Sequence, residues 1–209
     1  MSVGDPTYAI CELFHSVQGE ATWMGRPMLF VRFSGCPLSC SWCDEPLHRD
    51  PAKAESLTAE QLLARLHALS ADTPFVLLTG GEPLAVPQLG ELVAFLQQHG
   101  YWVAMETSGV GGTIPDSLDW VTLSPKTVLD EALYQRADEI KYVVPAQGQP
   151  QLQAELMQRA RTHGRVWLQP RAHGDGPDPV ATARCFQWVL ESAGKLRLSL
   201  QTHRYIGVD

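Results

Sequence analysis

The chain alternates short apolar runs rich in β-forming residues with longer amphipathic segments, and this alternation predicts a parallel α/β sheet. The predicted strands are Met28–Phe33, Phe75–Thr79, Trp102–Glu106, Trp120–Leu123, Ile140–Val144, Val166–Gln169 and Leu196–Leu200. The predicted helices are Thr58–Leu69, Pro87–His99, Gln149–His163 and Pro179–Ser192. These strands are fewer than a closed eight-fold barrel needs, so the expected fold class is a partial, TIM-like barrel with outer helices.

Local signals support the boundaries of the first two helices. The first predicted helix opens with Thr58, and Gln61 lies three residues after Thr58, which is the pattern of a capping box. Pro87 is expected in the first turn of the second helix, and Gly100 lies just past its predicted end. These helices connect the predicted strands in sequence order.

Composition indicates a globular protein. The five cysteines are an odd number, and three of them lie within eight positions, which suits a reducing compartment better than a disulfide framework. The 209 residues suffice for a single domain, 1–209, with its own apolar core. A net charge of −7 argues against a broad nucleic-acid surface, and no apolar run reaches the roughly 18–20 residues of a membrane span. The first residues lack the pattern of a secretory signal. We therefore expect a cytoplasmic protein without a nucleic-acid or membrane partner.

Polar motifs follow the first four predicted strands. They are Gly35–Cys43, Thr79–Pro83, Glu106–Gly109 and Ser124–Lys126. Parallel α/β folds place their functional groups at the carboxyl ends of strands. The motifs therefore lie where a functional site is expected.

The first of these motifs is a loop with three of the five cysteines of the chain. They are Cys36, Cys40 and Cys43, in a CxxxCxxC spacing. Three thiolates can hold three irons of a [4Fe–4S] cubane and leave the fourth iron open, which allows the site to do chemistry. His48 could instead complete a Cys₃His zinc site, or the cysteines could be ordinary buried thiols. The isolated Cys11 and Cys185 are expected to be core thiols.

At this loop the sequence resembles the radical S-adenosylmethionine (SAM) superfamily, whose signature is the same cysteine spacing. Gly80-Gly81-Glu82-Pro83 is similar to the superfamily's motif for the amino group of SAM, although such a tetrapeptide alone is more often a strand-to-helix turn. Backbone groups and a carboxylate can accept hydrogen bonds from an ammonium. The resemblance implies a [4Fe–4S] cluster on the three cysteines and SAM as cofactor. It assigns cofactor contacts to Trp42, Gly80, Gly81, Glu82, Thr107, Ser108, Ser124, Lys126 and Gln169.

The two ends of the chain narrow the resemblance to the family of 7-carboxy-7-deazaguanine synthases. The segments that carry it are Phe14–Glu20, Gly25–Pro27, Phe30–Phe33 and Leu198–Gly207. The similarity spans nearly the whole chain. It implies a lyase that contracts the ring of 6-carboxy-5,6,7,8-tetrahydropterin to 7-carboxy-7-deazaguanine, with loss of ammonia, on the path to queuosine. Hydrogen abstraction from C6 by a 5′-deoxyadenosyl radical and regeneration of SAM belong to the same implication.

The same resemblance assigns the substrate contacts. They are Gln18, Gly19, Glu20, Arg32, Thr79, Gly80, His203 and Asp209. Glu20 would accept from N–H groups of the pterin edge, and the fork of Arg32 would hold the substrate carboxylate. The alternatives are structural, with Arg32 paired to a glutamate (Glu12 or Glu20) and His203 a core histidine. The family likeness also implies an electron donor such as flavodoxin and a homodimer.

One residue departs from the family's pattern. A threonine associated with Mg²⁺ usually follows the Cys-Asp pair, but here Cys43-Asp44 is followed by Glu45. A carboxylate is a hard oxygen ligand that suits Mg²⁺. Glu45 could therefore retain the metal, replace it, or indicate a different substrate.

Two other functions stay open from the sequence. A glycyl-radical activating enzyme would share the cysteine loop and the partial barrel, but it does not account for the segment at Gln18–Glu20, for Arg32 or for the C-terminal segment. A non-catalytic iron–sulfur or zinc-binding module would share the cysteines alone.

Overall fold

The computed structural model describes residues 5–147, 150–174 and 176–208. The chain divides into two compact units. The first comprises Met1–Ser16 and Pro27–Val121, and the second comprises Val17–Arg26 and Thr122–Asp209.

The first unit is built on five strands and two helices. Its elements are β1 (Thr7–Val17, whose last residue belongs to the second unit), β2 (Pro27–Phe33), β3 (Glu55–Thr58), α1 (Ala59–Leu69), β4 (Phe75–Gly80), α2 (Leu89–Gln98) and β5 (Trp102–Thr107). The strand order is β3-β1-β2-β4-β5. β1 and β3 are antiparallel, whereas β2, β4 and β5 are parallel, with Arg32 opposite Thr79. The carboxyl ends of β2, β4 and β5 therefore meet at one edge.

Apolar side chains of the two helices contribute to the core of this unit, together with those of the strands. α1 buries Leu62 and Leu66, and α2 buries Leu92 and Leu96 among others. Burial of each such side chain contributes about 1.5–3 kcal/mol. The capping box predicted at Thr58 is present, because its hydroxyl accepts from the backbone of Gln61 and the Gln61 side chain accepts from the Thr58 N–H.

The prediction that Pro87 lies in the first turn of the second helix is wrong. The helix begins at Leu89, and Gln88 precedes it with a left-handed φ of 56°. A proline disfavours helical geometry in the residue before it, and the left-handed residue after it redirects the chain. The far end is as predicted, since Gly100 has a φ of +87° and its N–H donates to the Gln97 carbonyl at 3.0 Å.

β6 (Trp120–Leu123) leads the chain into the second unit. The elements that follow are α3 (Glu131–Arg136), β7 (Glu139–Val144), α4 (Pro150–Thr162), β8 (Val166–Pro170), β9 (Ala172–His173), β10 (Gly176–Pro177), α5 (Pro179–Glu191), β11 (Leu196–Leu198) and α6 (Thr202–Ile206). The strand order β11-β8-β7-β6 is parallel throughout, and β9 with β10 forms a short antiparallel pair. Gln149, the predicted start of the third helix, lies outside the described residues.

The core of the second unit contains Ile140, Leu168 and Cys185, all fully buried. Burial raises the pKa of the Cys185 thiol to about 12, so this cysteine is the inert core thiol that the sequence predicts. Cys11, in the first unit, is only half-buried, and its sulfur lies 3.3 Å from the carbonyl oxygen of Arg32.

The last strand ends at Leu198, two residues earlier than predicted. Continuing its register with β8 would place Leu200 opposite Pro170, which has no N–H to donate. In the parts of the chain that the structure describes, no helix combines the length and apolar character needed to cross a bilayer.

Candidate active site

The cysteine loop follows β2 in the first unit. Its members Cys36, Cys40 and Cys43 are half-buried thiols outside any disulfide. The N–H of Cys43 donates to the Cys40 carbonyl at 3.2 Å, and the Arg49 guanidinium donates to the same carbonyl at 2.6 Å. These two hydrogen bonds help to hold the three half-buried cysteines on one short loop.

This donor set fits an iron–sulfur cluster. Among the described residues, no three His, Cys, Asp or Glu side chains gather around a point that could hold a single metal ion. A cubane binds each thiolate to a different iron, so its thiols need not converge on one point. Burial raises the pKa of the Cys36 thiol, so coordination to iron rather than the local environment would produce the thiolate.

Two main-chain hydrogen bonds tie the cysteine loop to the glycine segment after β4. The N–H of Gly81 donates to the Phe33 carbonyl at 2.9 Å, and the N–H of Glu82 donates to the Gly35 carbonyl at 2.9 Å. Gly80 has a φ of +106°, and a Cβ atom on Gly81 would collide with the carbonyl of Gly35. The two glycines are therefore required for this close approach of backbone to backbone.

The buried carboxylate of Glu82 joins the end of β4 to the end of β5. It accepts from the N–H of Leu84 at 3.0 Å, from the N–H of Ser108 at 2.8 Å, and from the hydroxyls of Ser108 and Thr107. A carboxylate has about four lone-pair sites, so these four donors occupy the acceptor capacity of Glu82. The carboxylate is thus committed to its own chain, and a contact between Glu82 and the SAM ammonium stays a prediction.

Arg32, at the end of β2, lies between two carboxylates. Its Nε donates to Glu12 at 2.8 Å, and one terminal nitrogen lies 3.1 Å from Glu45. The guanidinium carbon is 5.3 Å from the centre of the Phe14 ring. Of the two pairings considered from the sequence, the one with Glu12 is present. The pairing with Glu45 had no sequence signal, because the two residues are thirteen positions apart on different elements.

Glu45 also closes the turn that follows the cysteines. Its second carboxylate oxygen accepts from the N–H of Leu47 at 3.0 Å and caps the 3₁₀ turn Pro46–Arg49. Both oxygens therefore face N–H donors, and the Arg32 guanidinium is shared between Glu45 and Glu12. This arrangement does not suit Mg²⁺, because the metal would have to displace the Arg32 guanidinium from Glu45.

Two other predicted residues of the first unit lie near these groups in the chain. Thr79 is half-buried at the end of β4, opposite Arg32 in the register of β2 and β4. Trp42 precedes the last cysteine of the loop and is 37% exposed.

In the second unit, Glu20 forms a buried ion pair with Lys141 of β7. The side chains are only 10% and 5% exposed, respectively. Burial alone would raise the pKa of Glu20, but the Lys141 ammonium and the hydrogen bonds from Lys141 and Gln201 lower it by more. The net pKa lies below the ordinary value, so Glu20 is a carboxylate at neutral pH.

Lys141 is a buried partner of a predicted site residue that the sequence analysis did not identify. Its signal was a lysine inside an apolar strand, in the run Glu139–Val144. Lysine is almost never fully buried unless it is paired, so this position called for an acidic partner. The partner could not be named because Glu20 lies more than a hundred residues away in the chain.

The backbone around Glu20 is fixed by polar groups of the same unit. The Gly19 carbonyl accepts from the N–H and the hydroxyl of Thr202 at 2.9 and 2.8 Å. The N–H of Ala21 donates to the Ser199 hydroxyl at 3.0 Å, which in turn donates to the Gln169 side chain at 3.0 Å. Gln169 thus supports the segment that carries Glu20, and its predicted contact with SAM stays a prediction.

Gly19 allows His203 to pack against this segment. A Cβ atom on Gly19 would collide with the ring and the backbone of His203. The charge of His203 also contributes to lowering the pKa of Glu20. Within the second unit the structure therefore brings together three residues that the sequence predicted from opposite ends of the chain.

The remaining predicted residues of the second unit have local contacts. The Gln18 side chain accepts from the N–H of Glu20 at 3.1 Å. After β6, the Lys126 ammonium donates to the hydroxyl of the buried Ser124 at 2.6 Å. Asp209 lies outside the described residues.

Comparisons with known proteins place the chain in a family. The radical SAM superfamily matches residues 30–137. The 7-carboxy-7-deazaguanine synthase of Synechocystis sp. is 34% identical, over 97% of this chain and 94% of that protein. The 7-carboxy-7-deazaguanine synthase of Haemophilus influenzae is 30% identical, over 98% and 96%.

Solved structures agree with these matches. The crystal structure of QueE from Escherichia coli superposes with a TM-score of 0.77 at 31% identity, over 94% of this chain and 95% of that chain. Streptococcus suis SuiB bound to the precursor peptide SuiA has a TM-score of 0.53 at 11% identity, over 78% of this chain and 46% of that chain, which shows the fold alone. The predicted α/β class of the partial-barrel type is confirmed. The chain belongs to the radical SAM superfamily and, within it, to the family of 7-carboxy-7-deazaguanine synthases.

Proposed function

We propose that this chain is a single-domain lyase that converts 6-carboxy-5,6,7,8-tetrahydropterin to 7-carboxy-7-deazaguanine. One observation carries the proposal: relatives named for this product match 97% and 98% of the chain. The superfamily match spans only residues 30–137, so it leaves out Gln18–Glu20 and His203. Those residues distinguish the family from other radical SAM enzymes, and the second unit holds Gly19, Glu20 and His203 in one cluster.

In the first unit, Cys36, Cys40 and Cys43 would hold the [4Fe–4S] cluster. With SAM bound, a cluster on these thiols would supply radical hydrogen-abstraction chemistry, directed at C6 of the pterin. The backbone at Gly80 and Gly81 offers carbonyl acceptors for the SAM ammonium. The other cofactor contacts proposed on the family likeness are Trp42, Glu82, Thr107, Ser108, Ser124, Lys126 and Gln169.

The substrate contacts follow from charge. Glu20 is anionic in its buried pair, so it accepts hydrogen bonds from adjacent N–H groups on the pterin edge. Arg32 supplies N–H donors for the substrate carboxylate, while Glu12 and Glu45 orient its guanidinium. The remaining proposed substrate contacts are His203, Gln18, Gly19, Thr79, Gly80 and Asp209.

We further propose that Glu45 takes the place of the Mg²⁺ associated with the family's usual threonine. Wild-type enzyme treated with a chelator is then expected to turn over as fast as enzyme supplied with Mg²⁺. Glu45→Thr removes one of the two carboxylates at Arg32 and the acceptor of the Leu47 N–H, so its turnover without metal should fall roughly tenfold, the scale of one charge-assisted hydrogen bond. Added Mg²⁺ should then restore turnover in this variant. Initial rates with and without Mg²⁺ measure both effects, and a Mg²⁺ requirement in the wild type would contradict the proposal.

The partners of the enzyme are proposed on the family likeness alone. They are a one-electron donor such as flavodoxin and a second copy of the chain in a homodimer. A cluster held by thiolates suits the reducing cytoplasm.

Anaerobic product analysis tests the proposed function. Protein reconstituted with iron and sulfide is incubated with SAM, a reductant and the pterin, and the products are identified by mass spectrometry. We expect 7-carboxy-7-deazaguanine. A glycyl-radical activating enzyme would cleave SAM and leave the pterin unchanged, and a zinc module would stay colourless and leave SAM intact.

A further inference from the structure

His48 is a buried histidine in contact with a cysteine of the cluster loop. His48 is only 3% exposed, and its Nε2 lies 3.4 Å from the sulfur of Cys43. Among the residues that the structure describes, no group forms a hydrogen bond with Nδ1 of His48. The Nε2 atom of His48 therefore faces the sulfur of Cys43, which is a proposed ligand of the cluster.

The backbone holds this ring in place. The carbonyl of His48 accepts from the N–H of Gly35 at 2.8 Å and from the hydroxyl of Ser34 at 3.3 Å. Both donors lie at the start of the cysteine loop, and Glu45 caps the turn that contains His48. The contact with Cys43 therefore follows from closure of the loop at both ends.

The chemistry of the pair decides which group donates. A thiolate bound to iron carries no proton, so it can only accept a hydrogen bond. A neutral imidazole has one N–H, and with the proton on Nε2 the donor of His48 faces the sulfur of Cys43. The other tautomer would bury an unpaired N–H at Nδ1, at a cost of about 1–3 kcal/mol, and would set two lone pairs against each other.

We propose that His48 donates a hydrogen bond from Nε2 to the Cys43 thiolate of the bound cluster and thereby raises the reduction potential of the cluster. The reduced cluster carries one more negative charge than the oxidised cluster, so a donor at a ligand sulfur stabilises it more. The electron comes from the one-electron donor, and the proton stays on His48. This role concerns the cluster alone and is independent of the pterin.

The test is a redox titration of the reconstituted cluster, followed by electron paramagnetic resonance without SAM or pterin. His48→Phe removes the donor but keeps a planar ring, so the equilibrium constant for cluster reduction is expected to fall about tenfold. For a one-electron couple this is a decrease of about 59 mV in midpoint potential. His48→Gln keeps an N–H near the position of Nε2 and should retain the wild-type midpoint.

Ser34→Ala is the matched control, because it removes one hydrogen bond to the His48 carbonyl and leaves the imidazole intact. It should leave the midpoint unchanged. An unchanged midpoint in fully loaded His48→Phe protein would overturn the proposal, since a residue that only packs affects iron content and not the potential.

If the His48→Phe variant binds too little iron for a titration, a measurement on the wild-type protein tests the proposal instead. With ¹⁵N-labelled histidine, electron–nuclear double resonance of the reduced cluster should detect a histidine nitrogen and its exchangeable proton. This signal should be absent from His48→Gln. Lack of the coupling in the wild type would overturn the proposal.

Discussion

Replacing Lys141 with methionine is expected to abolish pterin turnover and to destabilise the protein by about 3–5 kcal/mol, the usual consequence of removing one partner of a buried ion pair. Lys141 and Glu20 are both buried, so methionine leaves a carboxylate without its ammonium. That carboxylate is the group proposed to bind the pterin edge. Urea denaturation measures the stability, and product formation measures the turnover.

The stability lost in Lys141→Met should depend on pH in a defined direction. In the wild type the pKa of Glu20 is lowered, so the pair stabilises the fold above the ordinary glutamate pKa of about 4.3 and loses this effect as the pH falls through the lowered value. Without Lys141, burial raises the pKa of Glu20, and ionisation opposes folding as the pH rises. The stability difference between wild type and variant should therefore widen from acid to neutral pH. Gln201 and His203, which also face Glu20, are present in both proteins.

The double variant Glu20→Met/Lys141→Met separates folding from binding. Removing both charges leaves no unpaired ion, so most of the stability should return. Pterin turnover should stay absent, while reductive cleavage of SAM without pterin should persist. Normal turnover in Lys141→Met would contradict the role given to the pair.

Gly81→Ala is the second substitution with a large expected effect. The added Cβ would meet the Gly35 carbonyl, and neither backbone can move without breaking the hydrogen bonds between the cysteine loop and the end of β4. Displacement of a reacting group by about 1 Å can lower a rate roughly 100-fold, and we expect SAM cleavage to fall by that factor. Iron content and SAM cleavage are the measurements.

Gly90→Ala is its matched control. Gly90 is exposed in α2, and a Cβ atom there would meet nothing within 4 Å. Alanine restricts the unfolded chain, so this variant should gain about 0.4–1 kcal/mol of stability and keep full SAM cleavage. Equal activity of the two alanine variants would show that the close approach at Gly81 is not required.

Much of the first unit could be predicted from the sequence because its signals are local. The cysteine spacing, the glycine segment and the capping box at Thr58 each lie within a few residues. The strands of the parallel sheet were also predictable, since they are short apolar runs. β1 was missed because its burial alternates only over its first four residues and most of the rest are half-buried. The short helices α3 and α6 give too little periodicity.

What the sequence could not give are the partners of charged residues. The pair of Glu20 and Lys141 depends on how residues distant in the chain come together. The same holds for the pairing of Arg32 with Glu45. The saturation of Glu82 by the end of β5 is likewise set by the sheet and not by the motif. These contacts changed the reading of residues that the family likeness alone would treat as free ligands.

The central claim is that this chain uses SAM-dependent radical chemistry on C6 of the pterin. The most direct measurement supplies pterin deuterated at C6 to the reduced, reconstituted protein and follows product and SAM together by mass spectrometry. We predict 7-carboxy-7-deazaguanine as product and deuterium in the recovered SAM. Cleavage of SAM with the deuterated pterin unchanged would contradict the claim.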